Sequence, residues 1–471
     1  MQTKSTHLLA VAALSLGLSA CGGSGGGSST YSSAYVQFYN GSSNSATTIM
    51  NIDDDEYGSA AFGDATALYS LDNDTYDLEF IYEDSDDEEV TIYQEDNVLK
   101  LKNGRKAIII MSGDYDNPDI NFYDFKRKDG DAMDEHFRIF TTSVTDDQAS
   151  YDFYIAESGD TFEEAHQINT ATYGALEEGD YWDKDEDDDS DYFPTGDYKI
   201  FLTEPGSTDV VYESQTISFD YETEYSLIIR NTTGALAGNL VVDMLLNSTS
   251  VTSYADAEAS AQYRIYNSLS DDDLTVALTG SNGEEGDTLT VAAGELSDFT
   301  GIHYGDYNIN AQNSDSSLSF NNRLLTLNQG ESKAVVLYKN GSDKLTSLSF
   351  EESSTSQVYD HEVLVANLVT EESSGYDDLD IYFVRGDETT DSAEYEITSL
   401  DAEESRSITL PSDYYEIVVV YDDNSDSGNY DVLYRTNSLP FNEEVNYIIT
   451  IEEDASSSTG YSVKVLSESA E

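Results

Sequence analysis

Gly305-Asp306-Tyr307-Asn308-Ile309 sets a turn directly before a strand that opens on tyrosine. Gly and Asp tolerate a tight turn, and the tyrosine that follows opens an extended run in which residues two apart face the same side of a sheet. The same device recurs at Asp74-Thr75-Tyr76-Asp77-Leu78, Gly196-Asp197-Tyr198-Lys199-Ile200 and Asp413-Tyr414-Tyr415-Glu416-Ile417. Upstream, each copy opens with a strand: Tyr35 to Asn40, Phe137 to Phe140, Tyr263 to Asn267, and Val363 to Asn367. A second strand follows soon after: Thr48 to Ile52, Tyr151 to Ile155, Leu274 to Leu278, and Leu379 to Val384. Downstream, paired apolar runs read as hairpins. Leu99 to Ile110 turns at Asn103-Gly104 and Leu325 to Leu337 at Gln329-Gly330. Ile217 to Ile229 and Leu439 to Ile449 turn through Asp220 to Thr223 and Asn442 to Glu444. Asn-Gly is a strong hairpin dipeptide. A last strand closes each copy: Ile120 to Tyr123, Leu240 to Met244, Leu345 to Phe350, and Tyr461 to Val465.

Roughly seven short strands per ~100 residues, punctuated by turns, are the pattern of an immunoglobulin-like antiparallel β-sandwich. The fold class is therefore all-β, with tandem sandwiches over 34–128, 134–247, 260–350 and 360–469, the second carrying an acidic insertion. Linkers are read at Lys126 to Asp134, Ser248 to Ser260 and Glu351 to Asp360. The composition agrees: 36 tyrosines against one tryptophan suit half-buried sheets, because tyrosine buries its ring and keeps its hydroxyl wet.

An opening strand ending in Asn, a second strand, a small-residue stretch (Phe62-Gly63-Asp64-Ala65 and Ala293-Gly294-Glu295-Leu296) and then Gly-x-Tyr before a strand resembles the bacterial domain of unknown function 4397. The resemblance is carried best by the first and third copies. In place of that family's Ser-Pro after the opening Asn stand Asn40-Gly41-Ser42 and Asn267-Ser268-Leu269. It implies tandem immunoglobulin-like sandwiches on an exported, lipid-anchored protein, with no established activity.

The N-terminus gives an address. Lys4 precedes an apolar run from Leu8 to Leu18, too short for a span of roughly 20 residues and suited to a signal peptide over 1–20. Leu18-Ser19-Ala20-Cys21 resembles the bacterial lipobox, which implies a lipidated Cys21 as the first mature residue. Cys21 is the one cysteine in 471 residues, so no intramolecular disulfide forms. Two or three acyl chains give stable anchoring where one is marginal. Gly22, where enteric lipoproteins kept in the inner membrane carry Asp, implies an outer-membrane destination. Residues 21–33 form a Gly/Ser tether.

Charge narrows the partners. Lys+Arg total 21 against 94 Asp+Glu, a net charge of −73. Such a surface repels nucleic acid and anionic headgroups, which leaves an envelope protein or a glycan as partner and the lipid on Cys21 as the membrane contact. The charge suits a salty exterior, where screening is short-ranged.

The residues offer little for catalysis. His136, His166, His303 and His361 stand in no metal-ligand spacing. Gly22-Gly23-Ser24-Gly25-Gly26 has the letters of a nucleophile elbow without its strand–turn–helix setting. His136 and His361, at strand starts, read as polar edge residues. Calcium is the sharper candidate, because Asp183, Asp185, Asp187 and Asp189 alternate in one run, with Asp53-Asp54-Asp55 and Asp422-x-Asn424-x-Asp426 in loops. No loop has Gly at the sixth position of a helix–loop–helix site. The reading is a non-catalytic envelope lipoprotein acting as a spacer or binding module. The alternatives are a calcium-dependent adhesin or matrix component and a periplasmic carbohydrate-binding lipoprotein.

Overall fold

The structure is a computed structural model that describes residues 33–467 apart from 85–87, 129–132, 184–191, 282–284, 357, 371–374, 377, 423–429 and 442–444. Among them, strands assemble into eight sheets that close in pairs on four apolar cores. In the first sandwich one sheet runs Tyr69–Leu71, Ala34–Asn40, Arg105–Ser112, Asp119–Lys126. Its partner runs Asp55–Ala60, Thr48–Ile52, Thr75–Glu83, Glu89–Lys100. Numbered along the chain, the order is 4-1-7-8 over 3-2-5-6. The third sandwich repeats it, as does the fourth with the added short strand Leu439–Pro440, and the second with three added strands, Phe193–Pro194, Ile217–Phe219 and Val251–Ala255. Tandem all-β sandwiches are thus what the chain forms.

The order extends the seven-strand immunoglobulin pattern in one respect. The opening strand lies inside its sheet, antiparallel to the fourth strand and parallel to the seventh, as in Phe38↔Ile109 and Ile265↔Val335. The third and fourth strands were hard to read from the sequence, because they are short or polar edges such as Asp55–Ala60, whose pattern is mostly exposed.

The expected hairpins at Asn103-Gly104, Gln329-Gly330 and Asp220 to Thr223 are instead arches between sheets. Glu89–Lys100 pairs with Thr75–Glu83, whereas Arg105–Ser112 pairs with Ala34–Asn40 and Asp119–Lys126. Gly104 does adopt a positive φ of 70°, which suits an arch as well as a hairpin. The core decides between them: Leu99 and Leu101 on one side of the turn and Ile109 and Met111 on the other fill the same core from opposite layers. In the fourth copy the turn 442–444 lies outside the described residues, and its flanking strands Leu439–Pro440 and Tyr447–Glu453 again belong to different sheets. The stretch read as a linker at Ser248 to Ser260 contains the strand Val251–Ala255, which pairs with Leu240–Leu245 and extends the second sandwich.

Each turn-tyrosine closes a corner. Tyr198 donates its hydroxyl to the Pro194 carbonyl at 2.8 Å, Tyr415 to Pro411 at 3.0 Å, Tyr307 to His303 at 2.5 Å and Tyr76 to Asp72 at 3.0 Å. The acceptor is always four residues upstream, the geometry of a tyrosine corner. Burial pushes the Tyr198 phenol up to about 12, so it stays a donor at any physiological pH. The Asn that ends the opening strand has its own repeated task. Asn267 accepts from the Leu269 amide at 3.1 Å and donates to the Val291 carbonyl at 3.1 Å. Asn40 and Asn367 do the same with Ser42 and Ala60, and with Val369 and Leu400. A buried Asn thereby pins the end of strand one to the end of strand three across the layers. In the second copy Ser143 stands at this position.

Candidate functional site

Some central strands do not alternate. Arg105–Ser112 carries Ala107-Ile108-Ile109-Ile110-Met111, Glu224–Asn231 carries Leu227-Ile228-Ile229, and Ser332–Lys339 carries Ala334-Val335-Val336-Leu337. A strand that is apolar on both faces has both faces covered. One face lines the sandwich's own core. The other meets the neighbouring sandwich.

The first and second sandwiches pack sheet against sheet. Tyr39, Ile108, Ile110 and Phe125 face Phe140, Val144, Ile228 and Leu245 in one buried cluster. The Phe125 and Phe140 rings stack at 4.2 Å across the seam. The third and fourth sandwiches do likewise, with Tyr266, Val336, Tyr338 and Phe350 against Leu364, Ala366, Leu368 and Ile448.

Each seam carries a polar node at the same place. Tyr39, the residue before Asn40, donates to Asp243 of the second sandwich at 2.7 Å, and Arg230 donates to the same carboxylate at 2.6 Å. Asp243 is fully buried, so its charge requires this partner. Tyr266, the residue before Asn267, donates to Glu452 of the fourth sandwich at 2.9 Å, and Thr450 donates to Glu452 at 2.6 Å. Burial raises the Glu452 carboxyl pKa, with both hydroxyl donors and Lys464 opposing the shift. Lys106, also fully buried, reaches across the first seam to the Leu246 carbonyl and Asn247 Oδ1, both at 3.1 Å. Burial, followed by repulsion from Arg127, lowers its pKa to about 7. Arg264 and Glu352 form a buried ion pair with an Nε–Oε1 distance of 2.9 Å.

The two pairs also touch. Thr233 donates to the Ser354 carbonyl at 3.0 Å and the Ala235 amide to the Ser353 carbonyl at 2.9 Å. Gly234 between them has φ +63°, and a Cβ there would lie 2.6 Å from the Ser353 oxygen. Only glycine permits this approach. Tyr359, from the segment joining the third and fourth sandwiches, packs on Tyr82 and Tyr115 of the first at 5.0 and 5.3 Å.

The residues singled out by sequence are scattered. Cys21 lies outside the described residues, as do Asp185, Asp187 and Asp189; of that run the structure describes Asp183. Among the described residues no group of three or more His, Cys, Asp or Glu is placed to hold a metal ion. Asp53 is occupied by a neighbouring strand, accepting from the Asp77 amide of Thr75–Glu83 at 2.9 Å.

His361 is not a polar edge residue. It is fully buried inside a sheet, with Nε2 2.8 Å from Ser412 Oγ. This histidine–serine contact is not a nucleophile pair. Ser412 donates its proton to the Val358 carbonyl at 2.6 Å, so His361 is the donor to the hydroxyl and takes no proton from it. Burial lowers the His361 pKa to about 4. His136 lies against the Met133 and Asp134 carbonyls, and His166 stacks on Trp182 at 4.3 Å.

The seam residues escaped the sequence reading, although a signal was present. A charge inside an apolar strand, as in Leu240-Val241-Val242-Asp243-Met244-Leu245, marks a buried pair.

No protein-family model and no curated protein matches the chain. Among solved structures, a candidate cell adhesion protein from Bacteroides ovatus is similar at 9% identity and TM-score 0.20, over 46% of this chain and 96% of that one. The fimbrial anchor protein Mfa2 of Porphyromonas gingivalis is similar at 8% identity and TM-score 0.13, over 45% and 98%. The Bacillus anthracis TIE protein is similar at 8% identity and TM-score 0.14, over 90% and 68%. At TM-scores of this size no function passes from these proteins to this chain.

Proposed function

We propose that this protein is a non-catalytic cell-envelope lipoprotein, held in the outer membrane by acyl chains on Cys21, whose four sandwiches form a stiff scaffold presenting a contact surface to an envelope protein or glycan. The observation that carries this reading is the pair of sheet-on-sheet seams. Flexible linkers alone would leave four beads on a string; apolar faces fused around Tyr39–Asp243 and Tyr266–Glu452 give a body that transmits position. The tether over 22–33 supplies reach, and the net charge of −73 keeps the exported surface soluble.

Replacement of Cys21 by Ser tests the anchor. The parent is expected to take up labelled palmitate and to sediment with membranes, and the Cys21→Ser variant to do neither. A variant that stays membrane-bound, or a parent without label, refutes the reading.

A further inference from the structure

The second sandwich, the turn at Gly330 of the third, the segment 354–356 and the walls of the first and fourth sandwiches enclose a cleft of about 540 Å³. That size lies within the roughly 300–1,000 Å³ of small-ligand sites. Its floor is Phe62 with the Arg230 guanidinium 4.9 Å from the ring centroid, beside Val241. The placement is built in: a Cβ on Gly63 would lie 2.9 Å from Arg230 Nε, and that residue's φ of +76° is glycine's own. The walls are hydroxyls. Ser45 and Thr47 come from the first sandwich, Ser253 from the second, and Thr409 from the fourth; Thr232 also lines the cleft, with its hydroxyl held by the Leu236 carbonyl and the Asn239 amide. Ser45 and Ser253 each spend an acceptor position, on Asn40 Nδ2 at 2.9 Å and Arg230 Nη2 at 3.3 Å. Their O–H groups are left to donate outward.

The cleft is acidic, like the rest of the chain. Asp360 and Glu362 line it, and the Arg230 guanidinium is already paired with Asp243, in a protein whose net charge is −73. An anionic ligand is repelled by the whole field; a neutral one is not. The hydroxyls of Ser45, Thr47, Ser253 and Thr409, the two carboxylates and the aromatic floor match a polyol with apolar C–H faces.

We propose that this cleft binds a short neutral oligosaccharide. The inference rests on the protein being a contact scaffold and names the class of its ligand. The test uses the full-length chain in a polyoxyethylene detergent, which carries no sugar headgroup. It is applied to an array of neutral and uronic-acid tetra- to hexasaccharides and to a panel of neutral hexapeptides. Binding of neutral saccharides is expected, falling at least 10-fold in both Thr47→Trp and Thr409→Trp, which fill the cleft from opposite walls at exposed positions. An unchanged unfolding midpoint shows that each variant is folded. Failure to bind any neutral saccharide, a preference for uronic acids or peptides, or binding as tight as the parent's in either tryptophan variant overturns the proposal. Membrane attachment through Cys21 is scored separately and is untouched by any of these outcomes.

Discussion

Tyr39 donates its hydroxyl to Asp243 across 2.7 Å, joining the opening strand of one sandwich to a buried carboxylate of the next. The carboxylate is shared with Arg230, so the two donors are not equivalent. Tyr39→Phe removes one hydrogen bond and leaves the ion pair, costing about 1 kcal/mol. Arg230→Met strands a buried charge, costing about 3–5 kcal/mol. The fluorescence of Trp182, the one tryptophan, reports unfolding of the second sandwich in urea. Arg230→Met should move that midpoint several times further than Tyr39→Phe; equal shifts would mean that Asp243 is not charged in the seam.

The tyrosine corners make a second prediction. Tyr198→Phe keeps the ring in the core and loses the bond to Pro194, for about 1 kcal/mol. Tyr198→Ala empties a core site, for roughly 3–5 kcal/mol. The same ordering is expected for Tyr415, which bonds Pro411. Urea titration of the parent and the four variants checks it, and a phenylalanine variant as damaged as its alanine counterpart would contradict the corner's assigned role.

Much of this framework was legible in the sequence because it recurs. The turn-tyrosine, present in all four copies, and the strand-ending Asn, present in three, fix a strand start and a strand end, and period-two alternation places their faces. The arches were not legible: Asn103-Gly104 reads as a hairpin locally, and only the shared core of Leu99 and Ile109 puts its arms in opposite layers. The seams were half legible. The unbroken run Ile108-Ile109-Ile110 announces that both faces are covered, but nothing local says that the cover is Phe140 and Ile228. The cleft could not be read at all, because its walls come from segments hundreds of residues apart.

Acid should weaken the fourth sandwich through His361. Its folded pKa of about 4 lies below the ordinary 6.5, so the unfolded chain binds the extra proton between those values. Stability from this group is complete above about pH 6.5, falls as pH drops towards 4, and changes no further below. The loss is on the order of 2 kcal/mol after allowance for solvent screening. His361→Gln keeps a donor for Ser412 and removes the titration. Its unfolding midpoint should change less than the parent's between pH 7 and pH 4.5, and parallel profiles would exclude His361 as the source.

Salt should stabilise the whole molecule. With a net charge of −73, self-repulsion is strong where the Debye length is ~30 Å and weak where it is ~3 Å. The melting temperature is expected to climb steadily from 0.01 to 1 M NaCl, with CaCl2 at matched ionic strength giving the same curve. A calcium curve well above the sodium one would support the acidic run from Asp183 as a specific site.

The stiffness of the first seam is open to one direct measurement. With Cys21 replaced by Ser, nitroxides placed at Lys100→Cys in the first sandwich and Val211→Cys in the second report the distance between them by pulsed electron resonance. A single narrow distribution, broadened when Arg230 is changed to Met, is the predicted result. A broad distribution in the unaltered seam would show that the sandwiches swing freely on their connecting segments, and the scaffold reading would fall with it.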